Sequence, residues 1–94
     1  ANLASAVDKL KENGVWIYGT DGGGEDYYGV SMTGPMGLII GSEGFGMGRL
    51  LKEKCDFLLK LPMAGRITSL NASVAAGIFM YEIVRQRRAD QVKD

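Results

Sequence analysis

A short apolar run followed by a cluster of glycines, at residues 38–48, constrains this chain most. Leu38, Ile39 and Ile40 are wholly apolar, which suits a strand buried on both faces, as in a parallel sheet. Four glycines then fall within eight positions, with Glu43 among them. Such a loop lets backbone groups approach a ligand at the carboxyl edge of the sheet, where α/β proteins bind ligands. A tight strand-to-helix turn without a ligand explains the segment equally well.

The rest of the chain alternates between helical and extended patterns. Apolar periodicity and composition predict helices at residues 2–12, 47–54 and from 69 onward, and strands at 15–18, 38–40 and 57–61. The alternation predicts an α/β fold with a mainly parallel sheet and flanking helices. The last helix carries an apolar stripe formed by Val74, Ile78, Tyr81 and Val84.

Composition excludes several classes of protein. The 94 residues allow one domain, and their zero net charge does not favour wholesale electrostatic binding to nucleic acid. The absence of histidine removes Ser-His-Asp triads, Cys-His pairs and the usual zinc sites. Cys55 is the single cysteine, which indicates a reducing compartment, and no apolar run is long enough to span a membrane. We therefore expect a cytoplasmic protein without a metal site or a membrane anchor.

Three predicted loops, which begin at Gly19, Gly41 and Pro62, each follow a strand. In a parallel sheet they lie at one edge, where Glu43 and the polar residues that open the last helix would form a pocket. Gly19 and Thr20 could serve a ligand or a plain turn, whereas residues 22–24 are better explained as a flexible surface loop. The pattern contains neither a phosphate-cradling Gly-Lys-Ser/Thr sequence nor the acidic residue of a dinucleotide fingerprint.

Other polar and aromatic groups have simpler explanations. By themselves, Ser69 and Asn71 are best explained as helix N-caps. Tyr27 and Tyr28 could stack on bases, but packing is the commoner role of such a pair. Arginines crowd the end of the last helix at positions 85, 87 and 88, where compensation of the helix dipole together with solvation is favoured slightly over RNA contact.

The order of three segments indicates a protein family more specifically than any one segment does. They are IGSEGFG at residues 40–46, LPMAG at 61–65 and SLNASVA at 69–75, followed by a helix that ends in Arg-Gln-Arg at 85–87. Together they resemble the C-terminal part of the SpoU/TrmH branch of the SPOUT RNA methyltransferases, and most of all the bacterial 23S ribosomal RNA guanosine 2′-O-methyltransferases. The resemblance covers nearly the whole chain and includes two of the family's three signature motifs.

The resemblance implies transfer of a methyl group from S-adenosylmethionine to a ribose 2′-hydroxyl of RNA, with ribosomal RNA favoured. It also implies a homodimer with its active site at the subunit interface, and a deep trefoil knot, which is otherwise almost absent from proteins. The cofactor-binding residues that it implies are Gly19, Thr20, Gly41, Leu61 and Leu70. The polar residues that it implies for catalysis are Glu43, Ser69 and Asn71.

One motif of the family has no counterpart in the sequence. The family's first motif carries an asparagine and, shortly after it, an arginine thought to activate the 2′-hydroxyl, and nothing before Gly14 resembles it. We therefore expect residues 1–94 to be the C-terminal portion of a single catalytic domain, inactive alone and without any accessory domain. Two alternatives remain: a non-catalytic module for adenosine binding or dimerisation, and a different nucleotide-binding α/β domain whose glycine loop receives phosphate.

Overall fold

The computed structural model describes residues 2–41, 48–60 and 69–92, with the backbone alone at 69–72. Its elements follow one another as helix, strand, strand, helix, strand and helix, with one 3-10 turn. They are α1 (Leu3–Glu12), β1 (Trp16–Asp26), the 3-10 turn (Tyr27–Gly29), β2 (Met36–Ile39), α2 (Arg49–Lys54), β3 (Phe57–Lys60) and α3 (Ser69–Val92). The predicted order and the α/β class are confirmed.

The described strands form a parallel sheet of three strands in the order β2-β1-β3, with β1 in the centre. In its register Trp16 to Gly19 of β1 lie opposite Met36 to Ile39 of β2, and Gly19 also lies opposite Leu58 of β3. The predicted parallel sheet is therefore confirmed. The predicted knot stays a prediction, because residues 42–47 and 61–68 lie outside the described chain.

Helix α1 begins and ends where its sequence predicts. The side chain of Asn2 accepts hydrogen bonds from the backbone N–H groups of Ala4 and Ser5, at 3.0 and 3.4 Å. Asn13 is the C-cap, and Gly14 follows it with φ of 80°, a left-handed conformation that glycine adopts without steric cost. Helix α1 therefore ends four residues before Trp16, the first residue of the central strand β1.

Strand β1 is longer than predicted, because the expected loop at residues 19–24 does not end it. Thr20 and Glu25 both lie opposite Leu59 of β3, so residues 21–24 form an excursion within the strand. The chain then returns so closely to β3 that a Cβ on Gly24 would lie 2.5 Å from the Leu58 carbonyl oxygen. The prediction of a surface loop at 22–24 is confirmed for the surface position of Gly22 and Gly23, but it was wrong about the loop, because these residues belong to β1. Gly24 has no side chain, and this lets the backbones of β1 and β3 approach each other.

Strand β2 differs from the prediction in its burial. Its residues Met36 to Ile39 are half-buried, because β2 is the edge strand of the described sheet and has a strand neighbour on one side only. The apolar run at 38–40 suggested burial on both faces, which was wrong for the described part of the chain. Periodicity reports how apolar a segment is, but the position of a strand in the sheet decides how much of it is covered.

The main core lies between the sheet and α3. Ile17 and Tyr18 are successive strand residues and point to opposite faces of the sheet, so Tyr18 faces α3 and Ile17 faces the other side. The buried members of this core are Tyr18, Val30, Met32, Leu59, Ala75 and Phe79. Each large member stabilises the fold by about 1.5–3 kcal/mol through burial.

Helices α1 and α2 lie side by side, joined by charged groups. Lys54 of α2 pairs with Asp8 of α1 at 2.8 Å, and Lys11 of α1 donates to the Lys54 carbonyl oxygen at 2.8 Å. After α2, Cys55 is half-buried, and burial raises the pKa of its thiol above the usual range. Cys55 was predicted to be a small buried apolar residue, and the half-buried side chain meets that expectation in part.

Candidate functional site

The candidate site lies at the carboxyl edge of the sheet. All three described strands are parallel, so the residues that follow their last rungs lie along one edge. Ile39 of β2 lies opposite Gly19 of β1. Two residues after Ile39 the chain reaches Gly41, and two residues after Gly19 the excursion of β1 begins. This edge is where an open α/β sheet binds ligands.

A hydrogen bond joins two of the predicted cofactor-binding residues. The backbone N–H of Gly41 donates to the side-chain oxygen Oγ1 of Thr20 at 2.7 Å, across 21 residues of sequence. Gly19, which precedes Thr20, is buried, and so is Gly41. Three of the five predicted cofactor-binding residues therefore lie together at the sheet edge.

The excursion beside Thr20 is itself fixed by Asp21. One carboxylate oxygen of Asp21 accepts a hydrogen bond from the Gly23 N–H at 2.9 Å, and the other lies 3.3 Å from the Lys52 ammonium group of α2. These two contacts hold the excursion against the helix that follows the glycine cluster. This pairing could not be predicted from the sequence, since Asp21 and Lys52 are far apart along the chain.

The other predicted site residues are placed only in part. Glu43 and Leu61 lie outside the described residues. Ser69, Leu70 and Asn71 form the start of α3, and only their backbone is described. Ser69 is the first helical residue and Asn71 the third, so the prediction that both are N-caps was wrong, because an N-cap residue immediately precedes its helix.

A second polar cluster, which sequence analysis missed, fastens α3 to the segment before β2. The Gln86 side chain accepts from the Met32 N–H at 2.6 Å and donates to the Val30 carbonyl oxygen at 3.1 Å. It also donates to Glu82 at 2.9 Å. We call Gln86 with Val30 and Met32 the Gln86 clamp. No sequence signal indicates it, because a glutamine on a charged helix face looks solvent-exposed.

Glu82 is the buried charged residue beside this clamp, with 8% of its surface exposed. Both of its carboxylate oxygens accept hydrogen bonds from Arg85, each at 2.8 Å. These bonds lower the pKa of Glu82 below its usual range, although burial opposes the change, so the carboxylate stays ionised near neutral pH. The pair is local to α3 and does not reach the sheet edge.

The arginines near the end of α3 act only in part as predicted. The helix continues to Val92, so its last turn contains no basic residue and the dipole explanation was wrong, whereas all three arginines are exposed, as the solvation interpretation predicts. Arg85 instead pairs with Glu82, and Arg87 donates to the Gly34 carbonyl oxygen at 3.0 Å. Tyr27 packs edge-on against Phe79 at 5.6 Å between ring centroids, as the packing interpretation predicts for that tyrosine.

The predicted apolar stripe of α3 lies at the surface rather than in the core. Val74, Ile78, Tyr81 and Val84 are 52%, 38%, 78% and 50% exposed, whereas the buried side of the helix carries Ala75 and Phe79. We call these four exposed residues the α3 stripe. They line an open groove of about 690 Å³ together with Tyr27 and Arg88. None of the groove's lining residues is a predicted site residue.

Comparison with known proteins gives the chain its relatives. A family model described as the SpoU rRNA Methylase family matches residues 1–81. The chain is 60% identical over 87 residues to YacO of Bacillus subtilis, named as a TrmH family tRNA/rRNA methyltransferase, and covers 35% of that protein with 92% of its own length. It is 52% identical over 88 residues to the 23S rRNA (guanosine-2′-O-)-methyltransferase RlmB of Pseudomonas putida, with 93% of this chain and 36% of that protein covered.

Solved structures agree with these relatives. The A. aeolicus TrmH/SpoU tRNA modifying enzyme superposes with a TM-score of 0.84 at 33% identity, over 96% of this chain and 47% of that one. The SpoU methyltransferase AviRb of Streptomyces viridochromogenes, solved in complex with AdoMet, superposes with a TM-score of 0.72 at 36% identity, over 90% and 33% of the two chains. The chain thus spans about a third of the length of the curated relatives it matches. In the part of the chain that the structure describes, no helix is both long and apolar enough to cross a bilayer.

Proposed function

Because the chain belongs to the SpoU rRNA methylase family, we propose that the native protein containing it is an S-adenosylmethionine-dependent RNA ribose 2′-O-methyltransferase. A guanosine of 23S ribosomal RNA is the substrate we favour, since the RlmB relative carries that activity in its name. The observation that carries the proposal is the meeting of Gly19, Thr20 and Gly41 at the carboxyl edge of a parallel sheet in a chain of this family. Fold alone would not suffice, because one fold hosts many chemistries.

The sheet edge fits an adenosine group bound mainly through backbone atoms. Thr20 holds the Gly41 peptide in a fixed orientation, and a fixed peptide is what hydrogen bonding to an uncharged base requires. We assign adenosine binding to Gly19, Thr20, Gly41, Leu61 and Leu70. When bound, S-adenosylmethionine supplies an activated methyl group on a sulfonium.

The remaining chemistry is alignment of the ribose hydroxyl and removal of its proton. Ser69 and Asn71 begin α3, and we assign them to positioning the substrate or an arginine that activates the hydroxyl. We assign Glu43 to orienting a neighbouring side chain or to offsetting nearby positive charge. We expect the activating arginine to come from a motif that this sequence does not contain.

We also propose that the native protein is a homodimer, that its chain forms the trefoil knot of the family and that it acts in the cytoplasm. The α3 stripe supports a dimer, because a row of exposed apolar residues along one helix can pack against the same row of a second copy. The single cysteine and the RNA-modifying relatives support the compartment.

The test is methyl transfer to transcribed 23S ribosomal RNA by the native protein, with radiolabelled S-adenosylmethionine. We expect incorporation at a ribose 2′-hydroxyl, and a loss of roughly 100-fold or more in rate for Asn71→Ala, typical of removing one group that positions or stabilises the reacting atoms. Asn13→Ala is the matched control, because Asn13 caps α1 before the first strand, and its rate should stay within about 2-fold of the wild-type rate.

Calorimetric titration separates the alternatives. Binding of S-adenosylhomocysteine without any methylation of ribosomal or transfer RNA would favour a non-catalytic adenosine-binding module. Binding of ATP in preference to S-adenosylhomocysteine would favour a nucleotide-binding domain whose glycine loop receives phosphate. Either result would overturn the methyltransferase proposal.

A further inference from the structure

The β1–β2 ladder stops just before the candidate site. Its last pair is Gly19 with Ile39, after which β1 leaves the sheet in the excursion at residues 21–24. Gly41 lies two residues beyond that pair, where a continuing β1 would have offered a backbone acceptor. The Thr20 hydroxyl oxygen takes this acceptor's place at 2.7 Å.

This hydrogen bond is of the kind that is costly to lose. Gly41 is buried, and a buried backbone N–H left without a partner loses its hydrogen bonds to water without replacement. Removal of the hydroxyl would therefore make the Gly41 peptide reorient toward another acceptor. Any ligand that depends on the orientation of that peptide would lose affinity.

The residue after Thr20 is held by two contacts of its own. Residue 21 begins the excursion, and its carboxylate binds both the Gly23 N–H and the Lys52 ammonium group. The backbone that follows Thr20 is thereby joined to α2.

We propose that Thr20 is a positioning residue for the cofactor: its hydroxyl fixes the Gly41 peptide, and the peptide rather than the hydroxyl contacts the ligand. This inference rests on the proposed function. It gives Thr20 an indirect role in place of the direct contact assigned above, because the contact that the structure shows for the hydroxyl oxygen is the one it accepts from the Gly41 N–H. The role requires a hydroxyl at position 20 but does not require the threonine methyl group.

The experiment compares Thr20→Val, which removes the hydroxyl at nearly constant shape, with Thr20→Ser, which keeps it. Calorimetric titration of each native-length protein with S-adenosylhomocysteine should show an affinity lower by roughly 2- to 10-fold for Thr20→Val and within about 2-fold of wild type for Thr20→Ser. The KM for S-adenosylmethionine should rise in parallel, while the KM for RNA stays unchanged.

A matched control is Thr33→Val, since Thr33 precedes β2 at the opposite end of that strand and, among the residues that the structure describes, its hydroxyl contacts only the hydroxyl of the exposed Ser31, at 3.4 Å. It should leave the affinity unchanged. Amide hydrogen exchange at Gly41 supplies a readout that does not depend on activity, and we expect faster exchange in Thr20→Val alone.

The outcomes separate this inference from the proposed function. Failure of the wild-type protein to bind S-adenosylhomocysteine would overturn both. Normal wild-type binding with unchanged affinity in Thr20→Val would overturn the positioning role alone. If Thr20→Val fails to fold, the inference is decided by Thr20→Ser: full affinity and protected Gly41 exchange support it, and lost affinity overturns it.

Discussion

At the residue scale, the constraints on this chain come from close backbone approach and from hydrogen bonds that sequence separation conceals. Gly24 illustrates the first, because it is the point at which the excursion of β1 closes on β3. Thr20 illustrates the second, because its hydroxyl ends the β1–β2 ladder in place of a backbone group. Gly22 and Gly24 belong to one run of glycines, but the structure leaves room for a side chain at Gly22 and none at Gly24. The sequence does not distinguish the two positions.

We predict that Gly24→Ala lowers the free energy of unfolding by about 3 kcal/mol, because its Cβ would meet Leu58 and Leu59 backbone atoms at 2.5–2.8 Å, and backbone yields less than a side-chain tip. Gly22→Ala is the matched control: nothing lies within 4 Å of its Cβ, and the change should stay within about 0.5 kcal/mol. Urea unfolding measures both. Equal midpoints for the two variants would contradict the close approach.

At the scale of elements, α3 is attached to the sheet by its less apolar side. Ala75, Phe79, Glu82 and Gln86 face the interior, while the α3 stripe faces outward. Periodicity favoured the outward face, because the inward side carries Glu82 and Gln86 among its apolar residues. The Gln86 clamp resolves the choice by satisfying backbone groups of the segment that leads into β2.

We predict that Gln86→Leu lowers the free energy of unfolding by about 3 kcal/mol, because the Met32 N–H and the Val30 carbonyl would both be left unsatisfied near the core. Gln91→Leu is the same substitution at an exposed position of α3 and should change stability by about 0.5 kcal/mol or less. Thermal and urea unfolding of both variants measure the two changes. If Gln86→Leu and Gln91→Leu unfold with indistinguishable curves, the Gln86 clamp does not stabilise the fold.

At the scale of the whole molecule, the chain is one part of a site whose other parts come from outside it, according to the proposed function. It covers about a third of the length of its curated relatives, and the α3 stripe offers a surface for a second copy. The dimer and the catalytic arginine belong to the same proposal, since a site at a subunit interface needs both subunits in register.

We predict that Tyr81→Glu prevents the proposed dimer and leaves the native protein monomeric, because it places a charge in the apolar α3 stripe, where Tyr81 is 78% exposed. Leu50→Glu is the matched control, since Leu50 is also an exposed apolar residue, at 60%, but lies on α2. Sedimentation equilibrium gives the molar mass of each. A wild-type monomer, or a Tyr81→Glu protein that remains dimeric, would contradict a dimer formed through the α3 stripe.

The sequence by itself determined the α/β class, the order of the elements, both ends of α1 and the family, because these follow from local periodicity, caps and ordered motifs. Tertiary structure alone decided that β1 continues past its glycines, that β2 is an edge strand and that α3 buries Glu82 while exposing Tyr81. Each of these depends on contacts between residues far apart in the chain, and the free energy of such contacts is not encoded in any local window. The hydrogen bond between Thr20 and Gly41 is another such contact. The sequence indicates both residues as candidates for the site, but only the fold brings them within hydrogen-bond distance.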